Sequence, residues 1–191
     1  MGRSDFVPVG PDQAQHLELA ADLARKWNQH FDADIFTVPQ AVLSTTRVKS
    51  LRDPSRKMSK SDGTLDACIF VTDSPEAIQR KVLRAVTDSS DGIMFDEKNR
   101  PGISALITLF ALASNTPIEQ IVAAYSTEMR FAKFKADLAD VLIHLLSPVR
   151  ARFAEIQQNL DQVERLLLSG AEAARSIARP TLEQVKRIVM K

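Results

Sequence analysis

Two periods of apolar residues run along this chain, one short stretch of period two and then a long succession of helical ones. Phe6-Val7-Pro8-Val9-Gly10 reads as a short strand closed by a turn. Leu17, Ala20, Ala21, Ala24, Trp27 and Phe31 then recur at helical spacing, with Glu18, Asp22 and Arg25 off that face, which predicts a helix ending near His30. Asp12 suits the N-cap of that helix, its carboxylate facing free backbone N–H groups. Between residues 32 and 72 the helical period is absent. Ile35-Phe36-Thr37-Val38 and Cys68-Ile69-Phe70-Val71 are candidate strands, and Asp53-Pro54 marks a turn between them.

From Asp73 onward the pattern predicts helices almost to the end. Ser74-Pro75 is an N-cap followed by proline at the first helical position, opening a helix to about Val86. Gly92 to Gly102 is a polar connector, and Ile103, Leu106, Ile107 and Phe110 stripe the next helix. Thr116-Pro117-Ile118-Glu119 combines a capping box with proline at its first position. Phe131, Phe134, Leu138, Val141, Leu142 and Leu145 stripe a helix that Ser147-Pro148 should stop. Phe153 to Leu167 forms another, ending at Ser169-Gly170, and a last one carries Pro180 as a kink. The fold class is mostly α: the tail of an α/β domain at 1–73, then a helical module at 74–191.

Composition narrows the function classes. The chain has 191 residues, 45% hydrophobic and 26% charged, figures of a folded globular protein with a sizeable core. One cysteine, Cys68, excludes an internal disulfide framework and reads as a buried small hydrophobe. His16, His30 and His144 lack metal-ligand spacing with each other and with Cys68, so no metal site is expected. The longest strongly apolar run, Ile103–Ala113, has 11 residues, too few to span a bilayer, and MGRSDF has no apolar signal-peptide core. No membrane partner is expected. The six glycines stand too far apart for a glycine-rich phosphate loop.

Charge changes the picture more. The formal total is +1, yet residues 47–60 set Arg47, Lys49, Arg52, Arg56, Lys57 and Lys60 against Asp53 alone, a net of +5 that leaves the rest of the chain at −4. Within it Lys57-Met58-Ser59-Lys60-Ser61 puts two ammonium groups beside small hydroxyl residues, a set of donors for phosphate oxygens. On charge alone a solvated basic loop is the favoured reading. Gly10, Asp12 and Gln13 follow the first strand, at the carboxyl edge where α/β sheets bind ligands. There Asp12 suits a ribose hydroxyl and Gln13 a polar substrate group. The plainer reading leaves Asp12 as a cap and Gln13 on the surface.

The segments VPVGPDQAQHLELAADLARKWN (7–28), VKSLRDPSRKMSKSD (48–62), TDSPEAI (72–78), RAVTDSSDGIMFDEKNRPGIS (84–104) and FKADLADVLIHLLSPVRARF (134–153) together resemble the tryptophanyl-tRNA synthetases, class I enzymes of bacterial and organellar type. KMSKS marks class I synthetases generally; the GxDQ string and the FKADLA helix point to the tryptophan branch. The resemblance implies the C-terminal part of a Rossmann-type α/β catalytic domain followed by an α-helical anticodon-binding bundle. It implies ATP, with Mg²⁺ accompanying it, and tryptophan and tRNA(Trp) as partners. Lys57 and Lys60, as catalytic groups, with Ser59 and Ser61 would hold the pyrophosphate side of ATP. The Met58 backbone and Val48 would meet adenine, Gly10 and Asp12 the ribose, and Gln13 the tryptophan amino group.

Pro11 and Gly63 depart from the family's usual Glu and Pro. The longer N-terminal half of the family, with its HIGH motif, has no counterpart here. The expectation is therefore a synthetase portion that is inactive alone, with a non-catalytic tRNA- or protein-binding helical module as the alternative. The family is homodimeric. The loop's likeness to the organellar branch favours the mitochondrial matrix over bacterial cytoplasm.

Overall fold

The computed structural model describes residues 4–43, 47–60, 64–89, 92–127 and 130–190. The chain divides into two compact units, one formed by residues up to Arg47 together with those from Asn159 onward, the other by Val48–Gln158.

The first unit contains one β–α–β element. Strand β1 (Phe6–Val9) pairs in parallel with β2 (Gln40–Leu43), Val7 opposite Ala41 and Val9 opposite Leu43, and helix α1 (Ala14–His30) joins them. Ala21 and Ala24 are the buried residues of α1. Trp27 packs its ring on Phe31 at 4.7 Å and edge-on to Phe36 at 4.8 Å. The strand expected at Ile35–Val38 is not one. Asn28 accepts from the N–H groups of Ile35 and Phe36 and donates to the Phe36 carbonyl at 2.8 Å, so a side chain takes the groups a ladder would have used. The strand forms after Pro39 instead.

Asp12 is likewise not the N-cap of α1. A single 3-10 turn, Pro11–Gln13, intervenes, closed by the Gln13 N–H on the Gly10 carbonyl at 2.9 Å, and the cap position of α1 is Gln13. Helix α6 (Leu160–Val189) belongs to this unit, and Thr181 is its buried residue. It continues through Gly170, where a stop was expected, and holds Pro180 within it.

The second unit is an α-helical core. Helices α2 (Pro75–Leu83), α3 (Pro101–Ser114), α4 (Ile118–Ala124) and α5 (Phe131–Gln157) meet around Ile78, Val82, Ile103, Leu106, Ile107, Ile121, Phe134, Leu138 and Leu142. Each such fully buried side chain contributes about 1.5–3 kcal/mol relative to exposure. Ser74 caps α2 as expected, its Oγ accepting from the Ala77 N–H at 3.2 Å. Asp88 caps α3 from outside, accepting from the N–H groups of Gly102 and Ile103. That approach is close enough that a Cβ on Gly102 would stand 3.0 Å from the Thr87 Cα and 3.1 Å from the Val86 carbonyl oxygen.

Three expectations are corrected here. The Cys68–Val71 strand is absent, because Asp73 accepts the Phe70 N–H and Lys81 donates to the Cys68 carbonyl. The capping box at Thr116 does not form. Pro117 itself is the cap position of α4, and the Thr116 hydroxyl turns back to the Ser114 carbonyl. Pro148 does not stop α5, which continues to Gln157. The missing ladder bond falls on a solvent-facing side, His144 and Pro148 both being exposed, where water can take the His144 carbonyl. Among the described residues no single helix is long and apolar enough to cross a membrane.

Asp137 on α5 accepts from Lys133 Nζ and from Tyr125 Oη, each at 2.7 Å. These hydrogen bonds, that of Lys133 foremost, hold its carboxyl below the usual aspartate range. A carboxylate whose pKa falls on folding stabilises the fold above its ordinary value of 3.8, and that contribution is lost as pH drops through the lower, folded value. Asp137→Asn is therefore expected to lower Tm at neutral pH and to flatten the stability curve below about pH 4. Parallel acid limbs for variant and parent would contradict this.

Candidate functional site

The basic segment folds as a small hairpin whose two strands are pinned together, with exposed cations on its second strand and just after it. Ser50 donates its N–H to the Arg56 carbonyl at 3.0 Å, Met58 donates to Val48 at 2.9 Å, and Lys49 bridges Lys57 in antiparallel fashion. The turn between is Asp53-Pro54, as its sequence predicts: Asp53 accepts from the Ser55 N–H and hydroxyl, and its carbonyl accepts from Arg56. The Ser55 hydroxyl is the main reason the exposed Asp53 carboxyl lies below the usual range, and Arg56 adds to it. Asp53 thus stays anionic and leaves the loop's net charge at +5.

On the turn side of these pairings, Leu51 is buried in the helical core, donates to the Ala67 carbonyl at 3.0 Å and accepts from the Val86 N–H at 2.8 Å. Arg52 donates to the Arg84 carbonyl at 3.0 Å. The Met58 side chain packs against the same core. The loop therefore joins an apolar anchor to a cationic strand: Arg56, Lys57 and Lys60 are exposed, and Ser59 is half-buried. Val48 and Met58, two of the expected adenine neighbours, are directly hydrogen-bonded to one another, with Lys57, Ser59 and Lys60 beside them in sequence. Ser61 lies outside the described residues.

The second group of expected site residues is in the other unit and is described by itself. Gly10 is extended, with φ −72° and ψ 159°, so its lack of a side chain serves space rather than conformation. A Cβ there would stand 2.8 Å from an Asp12 carboxylate oxygen. Gln13 donates its side-chain amide to the other oxygen of Asp12 at 3.4 Å. Gly10, Asp12 and Gln13 are thus brought together at the carboxyl end of β1, with the Asp12 and Gln13 side chains exposed.

Pattern reading missed the residues that hold the chain just after the loop. Lys81 is buried on α2, where its Nζ donates to Asp73 at 2.6 Å and to the Cys68 carbonyl at 2.9 Å and lies 4.7 Å from the centre of the Phe70 ring. Arg150 of α5 donates to the Asp73 carbonyl at 3.1 Å. Lys135, also buried, donates to the Leu83 and Ala85 carbonyls and so caps the end of α2; burial pushes its pKa down. The available signal was spacing: Ile78, Lys81, Val82 and Ala85 share one face, as do Lys135, Leu138, Ala139 and Leu142. Asp73→Ala should cost about 2 kcal/mol, less than a fully isolated charge would, because Lys81 keeps its carbonyl and ring partners. Urea denaturation checks this, and an unchanged midpoint would contradict it.

Among the described residues no three His, Cys, Asp or Glu side chains converge to hold a metal ion. What the geometry offers is a cluster of ammonium and hydroxyl groups on a rooted loop and a carboxylate–amide pair at a strand end.

The family model of the class I tRNA synthetases (W and Y) matches residues 1–147. The tryptophan–tRNA ligase of Bacillus subtilis is 42% identical over 151 residues, which is 78% of this chain and 45% of that protein. That of Tropheryma whipplei is 42% identical over 149 residues, 78% of this chain and 44% of that protein. A tryptophanyl-tRNA synthetase structure from Mycoplasma pneumoniae superposes with a TM-score of 0.81 at 32% identity, covering 96% of this chain and 55% of that one. The Campylobacter jejuni synthetase complexed with ADP and tryptophan shares the fold, with a TM-score of 0.72 at 24% identity over 98% of this chain and 57% of that one. The chain spans about half the length of the curated relatives it matches. By sequence and fold, it belongs to the class I tRNA synthetase family that serves tryptophan and tyrosine.

Proposed function

We propose that this chain supplies the phosphate-side half of the ATP site of a tryptophan–tRNA ligase. The observation that carries the proposal is the rooted loop: hydrogen bonds Ser50–Arg56 and Val48–Met58 pin its two strands, with Lys57 exposed on the second strand and Lys60 exposed just after it. In the reaction a tryptophan carboxylate oxygen attacks the α-phosphorus of ATP. A new O–P bond forms, the bond from that phosphorus to the bridging oxygen breaks, and pyrophosphate leaves with the electron pair. The tRNA 3′-terminal hydroxyl then attacks the acyl carbon and AMP departs.

Lys57 and Lys60 would neutralise the charge gathering on pyrophosphate, with the hydroxyls of Ser59 and Ser61 donating to its oxygens. Val48 and the Met58 backbone would flank adenine, Gly10 and Asp12 would take the ribose, and Gln13 would orient the tryptophan amino group. Mg²⁺ would be held by the phosphates it accompanies rather than by this chain. In this reading residues 1–73 complete the catalytic domain, and 74–191 are the anticodon-binding helices for tRNA(Trp). The assembled enzyme would be a homodimer. The loop's organellar likeness supports a mitochondrial location, although the relatives named above are bacterial.

The test is charging of tRNA(Trp) with labelled tryptophan. It compares the chain alone with the chain co-expressed with the part of the Bacillus subtilis ligase outside its match. Charging is expected only from the pair. tRNA binding without charging by the pair would overturn the enzyme reading in favour of a binding module.

A further inference from the structure

The C-terminal end of α2 is held in a way an ordinary helix end is not. The last carbonyls of a helix have no partner within it and usually turn to water or to a local cap. Here three successive carbonyls are taken in turn by two different elements. Lys135 Nζ of α5 donates to the Leu83 carbonyl at 3.3 Å and to the Ala85 carbonyl at 2.8 Å. Between them, the Arg84 carbonyl accepts from Arg52 of the basic loop at 3.0 Å. The next group along, the Val86 N–H, donates to the Leu51 carbonyl of the same loop at 2.8 Å. Residues 83–86 thus form a seam in which α5 and the loop's anchor grip alternate residues of one short stretch.

A cap of this kind is costly. Lys135 is 8% exposed, and burial, with no opposing charge among the described residues, is what pushes its pKa down. Cations buried without a counter-charge lower stability, and an exposed helix end has water for its carbonyls. What Lys135 adds is a fixed backbone where Leu51 and Arg52 attach. Helix α5 is suited to that task as a splint. Its Arg150 donates to the Asp73 carbonyl at 3.1 Å, just before α2 begins. Lys135 and Arg150 lie about 22 Å apart along α5 and hold the two ends of α2. The loop shares the Lys135 end.

We propose that Lys135 is a positioning residue for the basic loop: it fixes the α2 end at which Leu51 and Arg52 dock, and through them the place of Lys57 and Lys60. It acts through backbone and touches no substrate. Its part in the reaction rests on the functional reading above, in which that loop serves the phosphates of ATP.

The experiment compares Lys135→Met, Arg150→Met and Arg52→Met with the parent. Amide exchange is read by NMR on the full chain, and tryptophan-dependent pyrophosphate exchange on the co-expressed pair. Lys135→Met should speed exchange at Ser50, Leu51, Met58 and Val86 about tenfold beyond any change in the rest of the helical core. In the pair kcat should fall about tenfold to a hundredfold, as for a reacting group displaced by up to about 1 Å. KM for tryptophan should stay within about a factor of two. Arg150→Met removes the other tie and should leave both loop exchange and kcat near the parent values.

Exchange that speeds evenly across the helices, or equally at the loop in Arg150→Met, would make Lys135 a structural residue only and overturn the proposal. An unchanged kcat in an active pair would do the same. Arg52→Met, exposed and outside the core, covers the case in which Lys135→Met does not fold. It should speed the same four amides, and unchanged exchange there overturns the proposal. The NMR readout needs no catalysis. A loop loosened by Lys135→Met, in a chain whose parent pair lacks tryptophan-dependent exchange, therefore sinks the functional reading and leaves the seam standing.

Discussion

Lys60→Ala is expected to slow tryptophan activation by the assembled enzyme by about 10²–10³, the usual cost of removing one preorganised donor to developing negative charge. The expectation rests on how the loop is built. Leu51 is held in the core and between the Ala67 and Val86 backbones, so the root does not move with a surface substitution. Lys60 is exposed beyond the last of the base pairings, at Met58. Deleting its ammonium should therefore remove charge without disturbing the fold. Because the loss falls on charge that develops during bond breaking, kcat should carry it, with KM for ATP changing less. Lys60→Arg keeps the charge on a broader planar head and should recover part of the rate. Stopped-flow or exchange kinetics on the three proteins decide the matter; an Ala variant within a factor of about two of the parent would remove Lys60 from the chemistry.

Phe134→Ala is expected to cost about 3–5 kcal/mol, the range for deleting a fully buried aromatic side chain. Phe134 is completely buried at the centre of the helical unit, its ring 5.6 Å from that of Phe110 and 5.2 Å edge-on from that of Tyr125. Its loss removes contacts from α3 and from the end of α4 at once, and the backbone of four helices limits collapse into the space. For a unit of this size that corresponds to a fall in Tm of roughly 10–20 °C by calorimetry. The same core holds Leu51, so exchange protection at the root of the basic loop should fall in parallel. A drop of only a degree or two would mean that the site repacks and that the core is less tightly built than its burial indicates.

The readable parts of this molecule were those where one local force decides. The first strand, the extent of α1, the Ser74 cap and the Asp53-Pro54 turn follow from neighbours within four or five positions. The basic loop stood out by charge, and its motif tied it to a family. Long-range partners overrode the local preferences elsewhere. Asn28 takes the backbone of Ile35 and Phe36, and Lys81 with Asp73 takes that of Cys68 and Phe70, so two β-prone runs have no ladder groups to offer. Pro148, Gly170 and Pro180 are breakers by propensity, yet all three are exposed positions within long helices, where the carbonyl each proline leaves unmet can turn to water. Lys81 and Lys135 were hidden for the opposite reason: lysine reads as surface, and only tertiary contact with helix-end and loop carbonyls makes burial acceptable. Asp12 looked like a cap because one intervening 3-10 turn is invisible to a pattern of apolar residues.

The most direct test of the central claim, that this loop serves phosphate chemistry on tryptophan, is amino-acid-dependent exchange of labelled pyrophosphate into ATP by the co-expressed pair. The account predicts exchange with tryptophan and none with tyrosine, falling about 10²–10³ in Lys60→Ala. Exchange with tyrosine, or tryptophan-dependent exchange that survives Lys60→Ala unchanged, would contradict it.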